Sequence, residues 1–407
     1  VMPERAGPAI GDLLTASHLA TLEDLPRLLG VHGPPAGLFD PVIYVADLQD
    51  QYLVPIPGQR DTQDAELKRI QIDVTPAGNA FRNVEIVRLA GPRGTRRLWV
   101  PMLDGTERVG VIGFTVPADD DTHLRRASWV ASLMAMLVVS KRDSSDTYAR
   151  MVRTRPMQLS AEVLWNLLPS GTFANDNVVV AAALEPAYEV GGDAFDYGIA
   201  GDLLHVSIFD AMGHDISAGL TATIALGACR NKRRQGADLP ATSEAIDEAI
   251  AYHFTDTRFT TGILADLDTR SGALTWVNRG HYPPLVLRGG HRVATLESPS
   301  PEPPMGLRMG LSAGASHYQL EPGDRLLFHT DGVIEAQSPS GEVFGIDRFI
   351  DLIVRQEAAG LSAPESLRRL IQAILAHQQG HLQDDATVLL VEWRTQHQGR
   401  LVPETQW

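Results

Sequence analysis

The chain has 407 residues, 44% of them hydrophobic and 21% charged, with a formal net charge of −15. That length allows two domains with ordinary cores, and the acidic balance argues against a general nucleic-acid binder, which presents a basic face. A single cysteine, Cys229, rules out an intrachain disulfide and zinc sites built on cysteine pairs, and it favours a reducing, cytoplasmic setting. It lies in the apolar run ATIALGACR, where it reads as a small core residue. The longest membrane-like stretch, WVASLMAMLVV at 129–139, falls short of the ~18 apolar residues a span needs. The N-terminus shows no signal-peptide pattern, and because the chain starts at Val1 a few natural residues are expected upstream.

Residues 11–30 are helical by pattern. PVIYVADLQDQYLVPIPG (41–58) reads as two strands around a polar turn, AGNAFRN (77–83) as a short helix, and RRLWVPMLDGTERVGVIGFTV (96–116) as a hairpin turning at Asp104 and Gly105. From His123 to Leu168 the pattern is helical, interrupted at Pro156 and broken by Pro169, Ser170 and Gly171. A long apolar-striped helix here is a dimer or packing element, or a helix docked on its own domain. Between 171 and 395 strands are predicted at 177–184, 203–209, 259–268, 273–279, 283–288, 325–330 and 386–393. Helices are predicted at 216–234, 243–254, 346–358 and 364–378, which together make an α+β layered domain. The Pro, Gly and Ser-rich stretch 296–314 is too long for a simple connection and reads as a flap or functional loop.

Acidic residues fall at the ends of these segments. Asp193 follows a glycine pair in EVGGDAFD, Asp210 ends LLHVSIFD, Asp331 ends RLLFHTD, and Asp384 and Asp385 precede ATVLLVEW. Each alone is an ordinary turn or cap residue. Together, carboxylates meeting at one end of a sheet would repel and raise one another's pKa values unless cations sat between them. Oxygen ligands without Cys or His clusters point to hard ions, Mg²⁺ or Mn²⁺. Two such ions ~3.5–4 Å apart can activate water and clamp the oxygens of an in-line phosphoryl displacement. They would also let an acidic protein attract a phosphate dianion.

Six ordered stretches carry a family likeness: EVGGDAFD (189–196), FDAMGHD (209–215), NRGHYPP (278–284), GDRLLFHTDGVIEA (323–336), GEVFG (341–345) and DDATVLLV (384–391). They resemble the bacterial metal-dependent PPM phosphatases of the SpoIIE and RsbU type over roughly 170–395. The resemblance implies a β-sandwich flanked by helices (αββα) and phosphoserine or phosphothreonine hydrolysis in a protein by direct attack of water. It implies two Mn²⁺ or Mg²⁺ ions, with Asp210 bridging them and the Ala211 carbonyl as a further ligand. Asp331 and Asp384 would complete one shell, and Asp193 would act directly or through water. Asp385 aligns with a partner that does not usually ligate. The implied substrate is a STAS-type anti-sigma factor antagonist in a stress or developmental pathway. The first third (VIYVADLQDQYLVPIPG, AGNAFRN, RRLWVPMLDGTERVGVIGF) resembles a GAF domain, a six-stranded sensor fold with an unidentified small-molecule or protein signal. The expected organisation is a GAF-like domain at 1–122, a helical linker at 123–170 that could serve as a dimer or switch element, the phosphatase domain at 171–395 and a tail at 396–407, in a cytoplasmic homodimer.

The chain departs from the family pattern in three places. Asp215 replaces the second glycine of GHG, Arg279 stands where a small residue is common and could touch phosphate or pack, and Met212 occupies the place of the proton-donating histidine of eukaryotic relatives, with His214 nearby. These departures keep open a pseudophosphatase that binds a phosphoprotein without turnover. Gly310, Ser312 and Gly314 match GxSxG in form, but they follow a Pro-rich loop and precede no predicted helix, so a serine hydrolase is disfavoured. Asp196 is expected to fix the turn after Asp193.

Overall fold

The computed structural model describes residues 6–403 apart from 62–63, 187, 190, 214, 255, 300–301, 311–312 and 381. The readings of His214 and of Leu311 and Ser312 therefore lie outside the described residues. The chain divides into two compact units, Val1–Arg155 with Gly399–Trp407, and Pro156–Gln398.

In the first unit the elements run α1 (Ala6–Ser17), α2 (Leu25–His32), β1 (Phe39–Ala46), β2 (Tyr52–Pro55), β3 (Ile70–Gln71), α3 (Pro76–Asn83), β4 (Val87–Ala90), β5 (Arg96–Asp104), β6 (Glu107–Val116), α4 (Asp121–Arg142) and α5 (Asp146–Val152). The strands form one antiparallel sheet of order β3-β2-β1-β6-β5-β4. The two-residue period of β1 sorts its side chains between two cores. Ile43 and Val45 join Leu98, Ile112 and Phe114 beneath α4, whereas Val42 and Tyr44 join Val111, Ile72 and Phe81 beneath α3. The hairpin turn lies one residue later than predicted. Asp104 pairs with Glu107, which puts Gly105 (φ +58°) and Thr106 at the turn, and a bulge opposite Met102 and Leu103 absorbs the offset.

The stretch expected as a linker divides between the units. Helix α4 buries Ala127, Val130, Ala131, Met134, Ala135 and Val138, the three-to-four spacing of one helix face, against β5 and β6 of its own unit. The boundary between the compact units falls at Arg155 and Pro156.

The second unit runs α6 (Leu159–Leu167), β7 (Thr172–Ala174), β8 (Val178–Glu185), β9 (Asp193–Ala200), β10 (Leu203–Ala211), α7 (Ile216–Arg234), α8 (Leu239–His253), β11 (Thr260–Asp268), β12 (Ala273–Arg279), β13 (Leu285–Arg288), β14 (His291–Thr295), β15 (Ser316–Gln319), β16 (Arg325–His329), α9 (Asp331–Ile334), α10 (Ile346–Ala358), α11 (Ala363–His377) and β17 (Ala386–Trp393). Two antiparallel sheets, β15-β12-β11-β10-β9 and β14-β13-β16-β17-β8-β7, pack face to face. Phe195, Ile208, Ile263, Val277, Val180, Phe328 and Leu389 lie in the shared core. Helices α7 and α8 cover the first sheet, and α11, backed by α10, covers the second. This is the expected sandwich between helical layers.

Two differences bear on the site. The segment DAFDYGIA, where no strand is predicted, is strand β9, paired along its length with β10. The loop 296–314 is pinned at its middle. Met305 exchanges both backbone hydrogen bonds with Thr260 (2.9 Å each), and the amides of Gly306 and Arg308 donate to Asp247 Oδ1 (2.5 and 3.2 Å). An open flap does not describe that anchored segment.

Candidate active site

The ends of the two sheets bring the acidic residues together. Asp193 opens β9 and is the register partner of Asp210 near the end of β10. On the other sheet, β16 leads through Thr330 into Asp331, the first residue of α9, while Asp384 and Asp385 lead into the neighbouring strand β17. Hydrogen bonds cross between the sheets. The Asp385 carboxylate accepts from the amides of Gly191, Gly192 and Asp193 (2.8, 2.7 and 3.1 Å). Asp193 Oδ2 accepts from the hydroxyls of Thr330 (2.7 Å) and Thr387 (2.6 Å). Backbones meet closely here. A Cβ on Gly332 would lie 2.0 Å from the Asp385 carbonyl oxygen, and one on Gly192 would lie 2.4 Å from the Ala211 carbonyl oxygen. Only glycine allows that approach.

The charges oppose one another. Burial raises the Asp210 carboxyl to about 7, helped by Asp331, Asp384 and Asp385. Burial also raises Asp193, with Asp210 and Asp385 adding to it while the two threonine hydroxyls hold it back. Asp331 is raised by burial and then by Asp384 and Glu335. Burial, with a smaller push from Asp384, lifts Asp385 to about 6 against the pull of its three amide donors. An oxygen-only set of mutually repelling carboxylates, with Asp193 and Asp385 buried, Asp210 and Asp331 half-buried and Asp384 exposed at its edge, suits a hard divalent cation, which removes the repulsion. Among the described residues, no three or more His, Cys, Asp or Glu side chains form a ready-made cage. The fit therefore rests on donor chemistry and charge.

Other expected residues have different partners. Asp196 does not fix a turn; it sits buried within β9, ion-paired to Arg230 (2.7 Å) and Arg233 (2.9 Å) of α7. Asp215 caps α7 by accepting from the Ala218 amide (2.9 Å), with Arg258 3.6 Å away, so the extra carboxylate has a local structural task. Arg279 packs: it is buried and donates to the Pro303 carbonyl (2.8 Å) and the Ser243 hydroxyl (3.2 Å). Met212 is partly exposed and donates only its backbone amide, to Phe259. Cys229 is buried against Ser207, and burial pushes its thiol up to about 11, an inert core position. After Gly314 the chain runs into strand β15 and not into the helix that a nucleophile elbow requires. Sequence reasoning missed Thr330 and Thr387. Their signal was adjacency, one directly before Asp331 and the other inside DDAT.

Residues 200–394 match the family description "Stage II sporulation protein E (SpoIIE)". That match lies wholly within the second unit. The match takes in Asp210, Asp331 and Asp384 and begins just after Asp193. Protein IcfG of Synechocystis is 24% identical over 269 residues, covering 58% of this chain and 41% of that protein. The phosphoserine phosphatase RsbP of Bacillus subtilis is 24% identical over 245 residues, covering 58% of each. This chain thus spans about half the length of these relatives. The solved SiaA PP2C domain of Pseudomonas aeruginosa shares 20% identity and superposes with a TM-score of 0.49, over 57% of this chain and 94% of that domain. Among the described residues, no helix is long and apolar enough to cross a membrane.

Proposed function

We propose that the protein is a metal-dependent phosphoserine and phosphothreonine protein phosphatase, with its chemistry at the SpoIIE-type domain. The observation that carries this reading is the convergence of Asp193, Asp210, Asp331 and Asp384 at the ends of both sheets, with burial and mutual repulsion raising Asp193, Asp210 and Asp331. Asp210 would bridge two Mn²⁺ or Mg²⁺ ions with help from the Ala211 carbonyl, and Asp331 and Asp384 would complete one shell. Bound there, the ions supply acidified water and neutralise phosphate charge. The chain's own part is orientation. Thr330 and Thr387 fix one oxygen of Asp193, and Asp385 anchors the 191–193 turn that carries it. Two relatives named phosphoserine phosphatases support a phosphoserine substrate, and the family likeness of the motifs leads us to assign that serine to a STAS-type anti-sigma factor antagonist. The N-terminal unit, read as GAF-like, would regulate turnover in a cytoplasmic homodimer.

The test is hydrolysis of p-nitrophenyl phosphate and a phosphoserine peptide by the full chain with Mn²⁺, Mg²⁺ or EDTA, beside Asp210→Asn and Asp331→Asn. Turnover that needs the divalent ion and falls at least ~100-fold in both variants is expected. Turnover indifferent to EDTA or to the substitutions refutes the assignment. Removing residues 1–155 should change the rate if the first unit regulates it.

A further inference from the structure

The stretch NRGHYPP, which begins in the last two residues of strand β12, folds back on itself. Asn278 Nδ2 donates to the His281 carbonyl (2.9 Å), and the His281 amide donates to Asn278 Oδ1 (2.8 Å), across Gly280 at φ +70°. This closed loop turns the His281 imidazole into the protein, where the residue is 8% exposed. Both ring nitrogens have partners: Nδ1 lies 2.8 Å from Thr261 Oγ1, and Nε2 lies 3.1 Å from the His329 carbonyl oxygen. A carbonyl only accepts, so Nε2 carries the proton and Nδ1 accepts from the Thr261 hydroxyl. Burial keeps the ring neutral, its pKa pushed down to about 3.

A buried, satisfied histidine is ordinarily core filler. The addresses of its two partners argue for more. Thr261 on β11 is the register partner of Asp210. His329 ends β16 and is followed by Thr330, which holds Asp193, and by Asp331. The ring therefore spans from the sheet that carries Asp210 to the sheet that carries Asp331. The cross-sheet bonds from Asp385, Thr330 and Thr387 converge on residues 191–193, whereas on the Asp331 side the His281 ring is joined by its neighbour Tyr282, whose hydroxyl donates to Glu335 Oε1 (2.5 Å).

We propose that His281 is a positioning residue, a neutral imidazole strut that sets the spacing of Asp210 and Asp331 across the two sheets and thereby the affinity of the site for its divalent ions. The inference rests on the two-metal reading above. Direct hydrogen-bond partners of metal ligands typically change metal affinity by about 10–100-fold when removed, and His281, which holds the residues beside Asp210 and Asp331, is expected near the lower end of that range.

The test is Mn²⁺ binding to the full chain by titration calorimetry, with no substrate present. His281→Gln places an amide donor where Nε2 stands, toward the His329 carbonyl; His281→Asn reaches only the Nδ1 position, and His281→Leu reaches neither. The expected result is affinity within about threefold of wild type for Gln, and a loss of about tenfold or more for Asn and Leu. Equal affinity in all three and wild type, or an equal loss in all three, overturns the strut in favour of simple packing. If the Asn and Leu variants do not fold, Thr261→Val removes one bond and leaves the ring. The bond lost is the one that His281→Gln also gives up, so a weakening of Mn²⁺ binding of about threefold at most is then expected, and an unchanged affinity overturns the proposal. A wild-type chain that binds no Mn²⁺ refutes the two-metal reading and this inference with it, whereas wild-type binding indifferent to every variant refutes the strut alone.

Discussion

Replacing Asp210 by Asn should make the metal-free protein more stable at alkaline pH, although it removes a residue central to the site. The folded chain holds the Asp210 proton up to about 7 because burial and three neighbouring carboxylates disfavour the charge, whereas its ordinary value is 3.8. Below about pH 4 both folded and unfolded chains are protonated and the group contributes nothing. As the pH rises from about 4 to about 7, the unfolded chain releases its proton first, so stability falls. Above about 7 the folded chain carries the full cost, about 4 kcal/mol. Asparagine has no proton to lose and escapes that cost. The variant and wild type should melt alike near pH 4 and separate progressively toward pH 8. At about 2–4 °C per kcal/mol for a unit of this size, the variant should finish about 8–16 °C higher in EDTA. Thermal melts across that range test this, and added Mn²⁺ should close the gap by raising wild type alone, through binding to the folded state. A variant that melts with or below wild type at pH 8 in EDTA would refute the electrostatic account of the site.

Two further substitutions separate the site from its surroundings. Gly332→Ala sets a Cβ 2.0 Å from the Asp385 carbonyl, so backbone must move beside Asp331; hydrolysis should fall about 100-fold in a steady-state assay. Asp215→Ala removes the cap of α7 and should cost about 1 kcal/mol in urea unfolding, with the Mn²⁺ concentration for half-maximal hydrolysis unchanged, because this carboxylate serves the helix.

Helices α7 and α10 were legible to the residue because their apolar spacing and end signals agree. Helix α8 starts earlier than its periodicity suggested, since Asp238 caps it and Pro240 occupies its first turn, both local signals open to reading. Strand β9 was hidden because Asp193 and Asp196 are buried carboxylates in a strand, and a Gly-Gly-Asp run looks like a turn. Their partners explain the burial and lie far along the chain: Thr330 and Thr387 for Asp193, Arg230 and Arg233 for Asp196. Asp210, Asp331 and Asp384 could be named from strand ends and motif order. The hydroxyls and the imidazole behind them could not, because a threonine in a strand or a histidine in a loop carries no pattern until the sheets face each other.

The most direct test of the central claim is anomalous diffraction from crystals grown with Mn²⁺. The account predicts two peaks per chain roughly 3.5–4 Å apart, bridged by Asp210, with Asp331 and Asp384 on one of them. Well-ordered carboxylates with no anomalous peak between them, or peaks bound elsewhere on the chain, would contradict it.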